Sequence, residues 1–116
     1  MVVGIGVCEL HLPGVRSLKA KRKIVKSLVE RLHRRHRVSV AETDYHDLHQ
    51  RAEIGVAVVG KSPYEVETLL DDLGRVFDGE LEAMVTRWEP TLLHPEDFGV
   101  GSLDGTAGDW PSEEPE

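Results

Sequence analysis

Four segments with strand periodicity and two with helical periodicity follow one another in an order that few folds accommodate. Residues 2–12 (VVGIGVCELHL), 38–43, 51–59 (RAEIGVAVV) and 80–88 are β-rich or alternate in polarity, which predicts strands. Residues 17–36 and 62–78 carry apolar positions at helical spacing and predict helices. The order β-α-β-β-α-β favours an α+β, ferredoxin-like sandwich, in which a four-stranded antiparallel sheet carries both helices on one face.

Both predicted helices have clear local signals. Ser17 is a suitable N-cap for the first, and Ser62–Pro63–Tyr64–Glu65 forms a capping box with proline at the first helical position of the second. The first helix is expected to bury a stripe of apolar residues at helical spacing: Ala20, Ile24, Val25, Leu28 and Leu32.

Strand periodicity also divides the predicted sheet into two faces. We expect the helices to cover the larger side chains of the first and third strands, namely Val3, Ile5, Val7, Ile54, Val56 and Val58. The other face would then carry small residues: Gly4, Gly6, Cys8, Ser39, Ala41, Gly55 and Ala57. Such a face lacks the aromatic side chains on which single-stranded bases stack, so a second subunit or the chain's tail is a better candidate to cover it.

Composition limits the class of protein. A chain of 116 residues is expected to form one domain, and a single cysteine excludes a disulfide framework or a CxxC metal clip. No signal peptide is recognisable, and no apolar run approaches the roughly 20 residues of a membrane helix. We therefore expect a soluble cytoplasmic protein without a membrane partner.

The C-terminal stretch differs from the rest of the chain. Residues 94–116 hold seven acids, no Lys or Arg, and many Gly, Pro and Ser. Such a composition buries too little apolar surface to offset the entropy of ordering, so we expect a disordered acidic tail after a domain of residues 1–93. The seven acids equal the net charge of −7, which leaves residues 1–93 close to neutral.

The basic residues are concentrated in the first helix. Between Arg16 and Arg37 lie ten of the 14 Lys and Arg and a single acid, Glu30. Cations in a first helical turn oppose the helix macrodipole, and no acid four residues away relieves them. Binding to phosphates would explain these cations, and the alternative is that they are simply solvated side chains. The candidate nucleic-acid-binding residues here are Arg16, Lys19, Lys21, Arg22, Lys23 and Lys26.

Three stretches resemble a known family. They are SLKAKRKIVKSL at residues 17–28, VSVAE at 38–42 and DLHQRAEIGVAVVG at 47–60. In order and spacing they are similar to the YlxP-like family of small bacterial proteins, over residues 1 to about 93. The resemblance implies a ferredoxin-like fold. Genes of this family commonly lie beside those for translation initiation and ribosome-binding factors, which implies a link to ribosome maturation or translation by association.

Gln50 and Arg51, inside the third of these stretches, have two interpretations. In the first, the segment fixes the connection between the second and third strands, with Asp47 bonding its own turn or pairing with Arg51. In the second, Gln50 and Arg51 extend the basic surface, and on that basis both join the candidate nucleic-acid-binding residues.

No cofactor, metal site or catalytic activity is predicted. Asp44, His46, Asp47 and His49 are potential ligands, but such residues are commoner in a polar loop than in a metal site. The segment 13–16 (PGVR) resembles the phosphate loop of acylphosphatases, whose chemistry needs an Asn that this chain lacks. No nucleophile, Walker or zinc-protease motif is present.

The sequence thus predicts a non-catalytic RNA- or ribosome-associated module. Its basic first helix would bind the phosphates of structured RNA or of the small ribosomal subunit, in ribosome maturation or translation. The alternative is a homo-oligomeric protein-interaction module, such as a homodimer, with no nucleic-acid role.

Overall fold

The predicted order of elements is confirmed in a computed structural model that describes residues 1–99. The elements are β1 (Val2–His11), α1 (Leu18–His36), β2 (Ser39–Asp44), β3 (Arg51–Gly60), α2 (Pro63–Asp78) and β4 (Met84–Leu93). The strands form one antiparallel sheet in the order β2-β3-β1-β4. Both helices contribute to one apolar core on a single face of this sheet, as a ferredoxin-like sandwich requires.

A short 3-10 helix, Pro95–Phe98, follows β4 and occupies the start of the predicted tail. The remainder of that tail, residues 100–116, lies outside the described residues, so its expected disorder stays a prediction. No helix within residues 1–99 has the length and apolar character to cross a membrane.

Both helices begin at the predicted serine. The Ser17 hydroxyl accepts the Ala20 N–H at 3.0 Å, and the Ser62 hydroxyl accepts the Glu65 N–H at 3.2 Å. The Glu65 carboxylate reaches back to the N–H of Lys61, one residue before the cap, at 3.4 Å. The helix starts were therefore predictable from local capping chemistry alone.

The predicted bounds of the last strand were wrong. Residues 80–83 form the turn after α2, where Leu81 is 98% exposed, and β4 continues to Leu93. The prediction ended before Pro90, which has no N–H to give to a sheet. Proline is tolerated in an edge strand such as β4, because the outer side of that strand has no neighbouring strand to which an N–H would donate. Pro90 pairs in register with Gly6 of β1.

The predicted orientation of β1 was also wrong. Gly4, Gly6 and Cys8 face the helices, in register with Val58, Val56 and Ile54 of β3. The β3 prediction was correct, but Val3, Ile5 and Val7 lie on the opposite face of the sheet. We call that side, which no element within residues 1–99 covers, the open face.

Close packing explains the orientation of β1. A Cβ atom on Gly4 would collide with Val66 of α2 and lie 3.0 Å from Leu70 Cδ1. A Cβ atom on Gly6 would lie 2.5 Å from Cη2 of Trp88, whose ring packs against Phe77 at a centroid distance of 5.4 Å. The absence of side chains at Gly4 and Gly6 therefore lets α2 and the ring of Trp88 pack closely against β1.

Cys8 is fully buried, and burial raises the pKa of its thiol to about 12, with smaller contributions from the charges of Asp78 and Glu9. We expect the thiol to stay neutral at pH 8 and to react with a maleimide only when the chain unfolds, because the thiolate is the reactive form. Labelling rates with and without denaturant measure this, and immediate modification of the folded protein would contradict it.

Gly4→Ala is expected to lower the free energy of unfolding by about 1–3 kcal/mol, because the added methyl group overpacks the contact with α2. Gly14→Ala is the matched control, since a Cβ there meets no atom within 4 Å. Urea denaturation of both variants tests the prediction. Equal stabilities would contradict the close contact between Gly4 and α2.

Candidate nucleic-acid interface

The outer side of α1 is a continuous basic surface. Lys19, Arg22, Lys23 and Lys26 are all exposed, and their spacing of three and four residues puts them on one side of the helix. The buried stripe of Val25, Leu28 and Leu32 lies on the other side. Arg16, exposed in the loop before the cap, lies next to the helix start. We call these five residues the basic face: Arg16, Lys19, Arg22, Lys23 and Lys26.

Within residues 1–99, the cations of the basic face form no ion pair with an acid. Within residues 1–99, the ion pairs involve Lys21, Arg31, Arg51, Arg75 and Arg87, and none involves a member of the basic face. The first turn of α1 also contains no acidic residue. The positive end of the helix dipole therefore adds to the potential of these side chains.

Lys21, one of the predicted phosphate contacts, is instead fully buried. Its Nζ atom lies 2.6 Å from the Tyr45 carbonyl oxygen and 3.0 Å from that of Arg51. The Glu42 carboxylate completes the site at 2.9 Å. Two hydrogen bonds to carbonyl oxygens and one ion pair thus hold this buried ammonium, so it does not belong to the interface. We call this arrangement the Lys21 clip, because it joins α1 to both ends of the β2–β3 connection.

A strained backbone contributes to the clip. Tyr45 has φ of 65°, in the left-handed region that residues other than glycine rarely adopt. Its carbonyl accepts the shortest of the Lys21 hydrogen bonds, while its ring lies 4.0 Å below the Arg51 guanidinium. These two contacts hold Tyr45 in a conformation that the free loop would disfavour.

Arg51 is separated from the basic face. Its Nη2 donates to Glu9 Oε1 at 2.9 Å, and this hydrogen bond is the main cause that raises the pKa of the guanidinium above its usual value. The register places Arg51 on the open face, opposite the helices. Arg51 therefore does not extend the basic face, and Glu9, rather than the predicted Asp47, is its partner.

Gln50 positions the loop that carries Arg16. Its side-chain amide donates to the carbonyl of Val15 at 3.1 Å and to that of Pro13 at 3.3 Å. Its own carbonyl accepts the Leu12 N–H at 2.9 Å. Gln50 thus ties the β2–β3 connection to the β1–α1 loop, which favours a structural role over phosphate contact.

Two of the potential metal ligands around the end of β2 contact nearby backbone groups instead. His46 Nε2 lies 3.1 Å from the Glu42 carbonyl oxygen, and Asp44 accepts the Tyr45 N–H at 2.7 Å. Within residues 1–99, no three His, Cys, Asp or Glu side chains are grouped as ligands for a metal ion.

Comparison with known proteins identifies relatives of this chain. Residues 3–89 match the family described as "Protein of unknown function (DUF503)". The uncharacterized protein YlxP of Bacillus subtilis (strain 168) is 32% identical over 90 residues, which are 76% of this chain and 98% of YlxP. Among solved structures, At3g17210 from Arabidopsis thaliana gives a TM-score of 0.44 at 14% identity, covering 80% of this chain and 94% of the other. The resemblance drawn from the sequence motifs is confirmed.

Lys21→Met is expected to destabilise the protein by about 3 kcal/mol, because it leaves the Glu42 carboxylate and two carbonyls without their buried partner. Lys19→Met removes the same charge from the exposed side of the helix and is expected to change stability by less than about 0.5 kcal/mol. Urea denaturation of the two variants measures the difference. Equal stabilities would contradict the clip.

Proposed function

The chain belongs to the YlxP-like DUF503 family, and we propose that it acts as a non-catalytic RNA- or ribosome-associated module. The basic face of α1 holds the phosphates of structured RNA, in ribosome maturation or translation. The observation that carries the proposal is that five exposed cations lie together, without acidic partners in residues 1–99, on a chain whose net charge is −7.

Helix stability does not account for this arrangement. Cations at the start of a helix weaken it by a few tenths of a kcal/mol each, and like charges three and four residues apart repel one another. A bound polyanion removes both penalties, since it neutralises the side chains and interacts favourably with the helix N-terminus. The burial of Lys21 does not weaken this argument, because the five residues of the basic face are all exposed.

The form of the surface favours shape recognition over base recognition. Single-stranded RNA is commonly held by aromatic side chains on which bases stack. The exposed Phe, Tyr and Trp side chains within positions 1–99 are Tyr64 and Phe98, neither of which lies on α1. Contacts to the phosphates of folded RNA need no such platform, and they release counterions, which makes the binding dependent on salt.

Co-sedimentation of the full chain with bacterial small ribosomal subunits tests the proposal. With about five phosphate contacts, counterion release predicts a loss of affinity of roughly 100- to 500-fold between about 50 and 200 mM salt. We expect retention at the lower salt concentration and release at the higher. Salt-independent retention, or none at either concentration, would contradict the proposal.

A matched pair of variants locates the contact. Lys19→Glu with Lys26→Glu reverses two charges of the basic face, whereas Lys61→Glu with Arg75→Glu reverses two exposed charges outside α1. Both variants lower the net charge by the same amount, so general repulsion from RNA affects them equally. We expect only the first pair to abolish retention, and equal retention of both variants would remove the basic face from the interface.

A further inference from the structure

The open face of the sheet is apolar over half its length. Val3, Ile5 and Val7 of β1 rise from it, and Ile5 and Val59 are 37% and 68% exposed. Beside this ridge lies a shallow groove formed by small residues of two neighbouring strands: Ala41, Gly55 and Ala57. A ridge of large side chains thus runs along a groove of small ones.

The other half of the open face is charged, with three carboxylates and two guanidiniums: Glu9, Glu53, Glu89, Arg51 and Arg87. The Glu9 carboxylate lies between two guanidiniums, 2.9 Å from Arg51 and 3.1 Å from Arg87, and is nearly buried. Arg87 also contacts Glu89 at 3.3 Å. The acids outnumber the guanidiniums by one, so this surface has no positive excess with which to attract a polyanion, which separates it from the basic face of α1.

The edges of the sheet are poorly suited to adding a strand. Pro90 interrupts the N–H groups of β4, the edge strand on one side. The strand on the other side, β2, has six residues and a register shift between Glu42 and Asp44. The face, and not an edge, is therefore the surface of the sheet that a partner can cover.

We propose that a second copy of this chain covers the open face, with its two-fold axis parallel to the strands. The strand order β2-β3-β1-β4 puts the middle of the sheet between β3 and β1. A two-fold axis along that line places β1 of each copy over β3 of the other. Rotation about this axis does not shift residues along the strand direction, so residues that are paired in register within one chain lie opposite one another across the interface. Ile5, which is level with Ala57 within one chain, then lies over Ala57 of the second copy.

Shape and charge both select this axis. Each ridge enters the other copy's groove, as a symmetric interface requires. The apolar halves meet one another and so do the charged halves, in which both signs are present, whereas an axis across the strands would lay the apolar half on the charged half. A heterologous partner would need a matching ridge and groove, which the second copy already has.

The available area reaches the lower limit of biological interfaces. Four strands spaced about 4.8 Å apart and roughly 30 Å long present about 550 Å² per copy, or about 1,100 Å² in total. Biological interfaces generally exceed about 1,000 Å² in total. The two sheets would stack about 10 Å apart, as in other face-to-face sheet packings.

Sedimentation of the full chain over about a hundredfold range of concentration tests the inference. We expect a concentration-dependent dimer in the wild type. Ala57→Glu, at a position already exposed in the monomer, is expected to raise the dissociation constant at least about 100-fold, because each dimer would bury two unpaired carboxylates. Leu81→Glu adds the same charge to the exposed turn before β4 and is expected to leave the dimer intact.

A mixture of two variants tests the axis. Ile5→Lys and Ala57→Glu are each expected to be monomeric, and their mixture is expected to form a heterodimer in which the new charges face one another. Circular dichroism establishes whether each variant is folded. If Ile5→Lys does not fold, Ala57→Glu alone tests the inference. A monomeric wild type, or a dimer that persists with Ala57→Glu, would overturn the inference. The double variant Lys19→Glu with Lys26→Glu is expected to remain dimeric, which separates this result from the test of RNA binding.

Discussion

The buried ammonium of Lys21 is the interaction on which the rest of the site depends. It fixes α1 to the beginning and the end of the β2–β3 connection through the Tyr45 and Arg51 carbonyls, with Glu42 supplying the counter-charge. A buried ammonium is tolerated only when it is paired and hydrogen-bonded, and here two carbonyl oxygens accept its hydrogen bonds and the Glu42 carboxylate lies 2.9 Å away. One inward-facing lysine therefore sets the rotation of a helix whose neighbouring cations face outward.

The same connection organises both surfaces of the protein. Gln50 holds the loop that carries Arg16, on the helical side, while Arg51 is held by Glu9 and Tyr45 on the open face. The DLHQRAEIGVAVVG stretch, which carries much of the family resemblance, includes both residues. Gln50 and Arg51 therefore act as supports between elements of the fold.

Local chemistry in the sequence was sufficient for the element order, the fold class and both helix caps, because Ser17 and Ser62 act within a few residues of themselves. The orientation of β1 was not accessible, since both alternating sets in VVGIGVC are apolar or glycine and only contact with α2 distinguishes them. One feature of the sequence indicated that Lys21 is buried: it precedes Val25 by four residues and Leu28 by seven, which places it within the apolar stripe of α1. Its acceptors, 24 and 30 residues away along the chain, could not be predicted from spacing.

The central claim is that phosphates of structured RNA meet the outer side of α1. An NMR titration of the full chain with a folded fragment of small-subunit ribosomal RNA tests it most directly, since backbone amides report the contact residue by residue. The account predicts saturable shifts over residues 16–26 that diminish as salt rises, with the open-face positions of β1 and β3 unchanged. Saturable shifts confined to the open face, or none on α1, would contradict it.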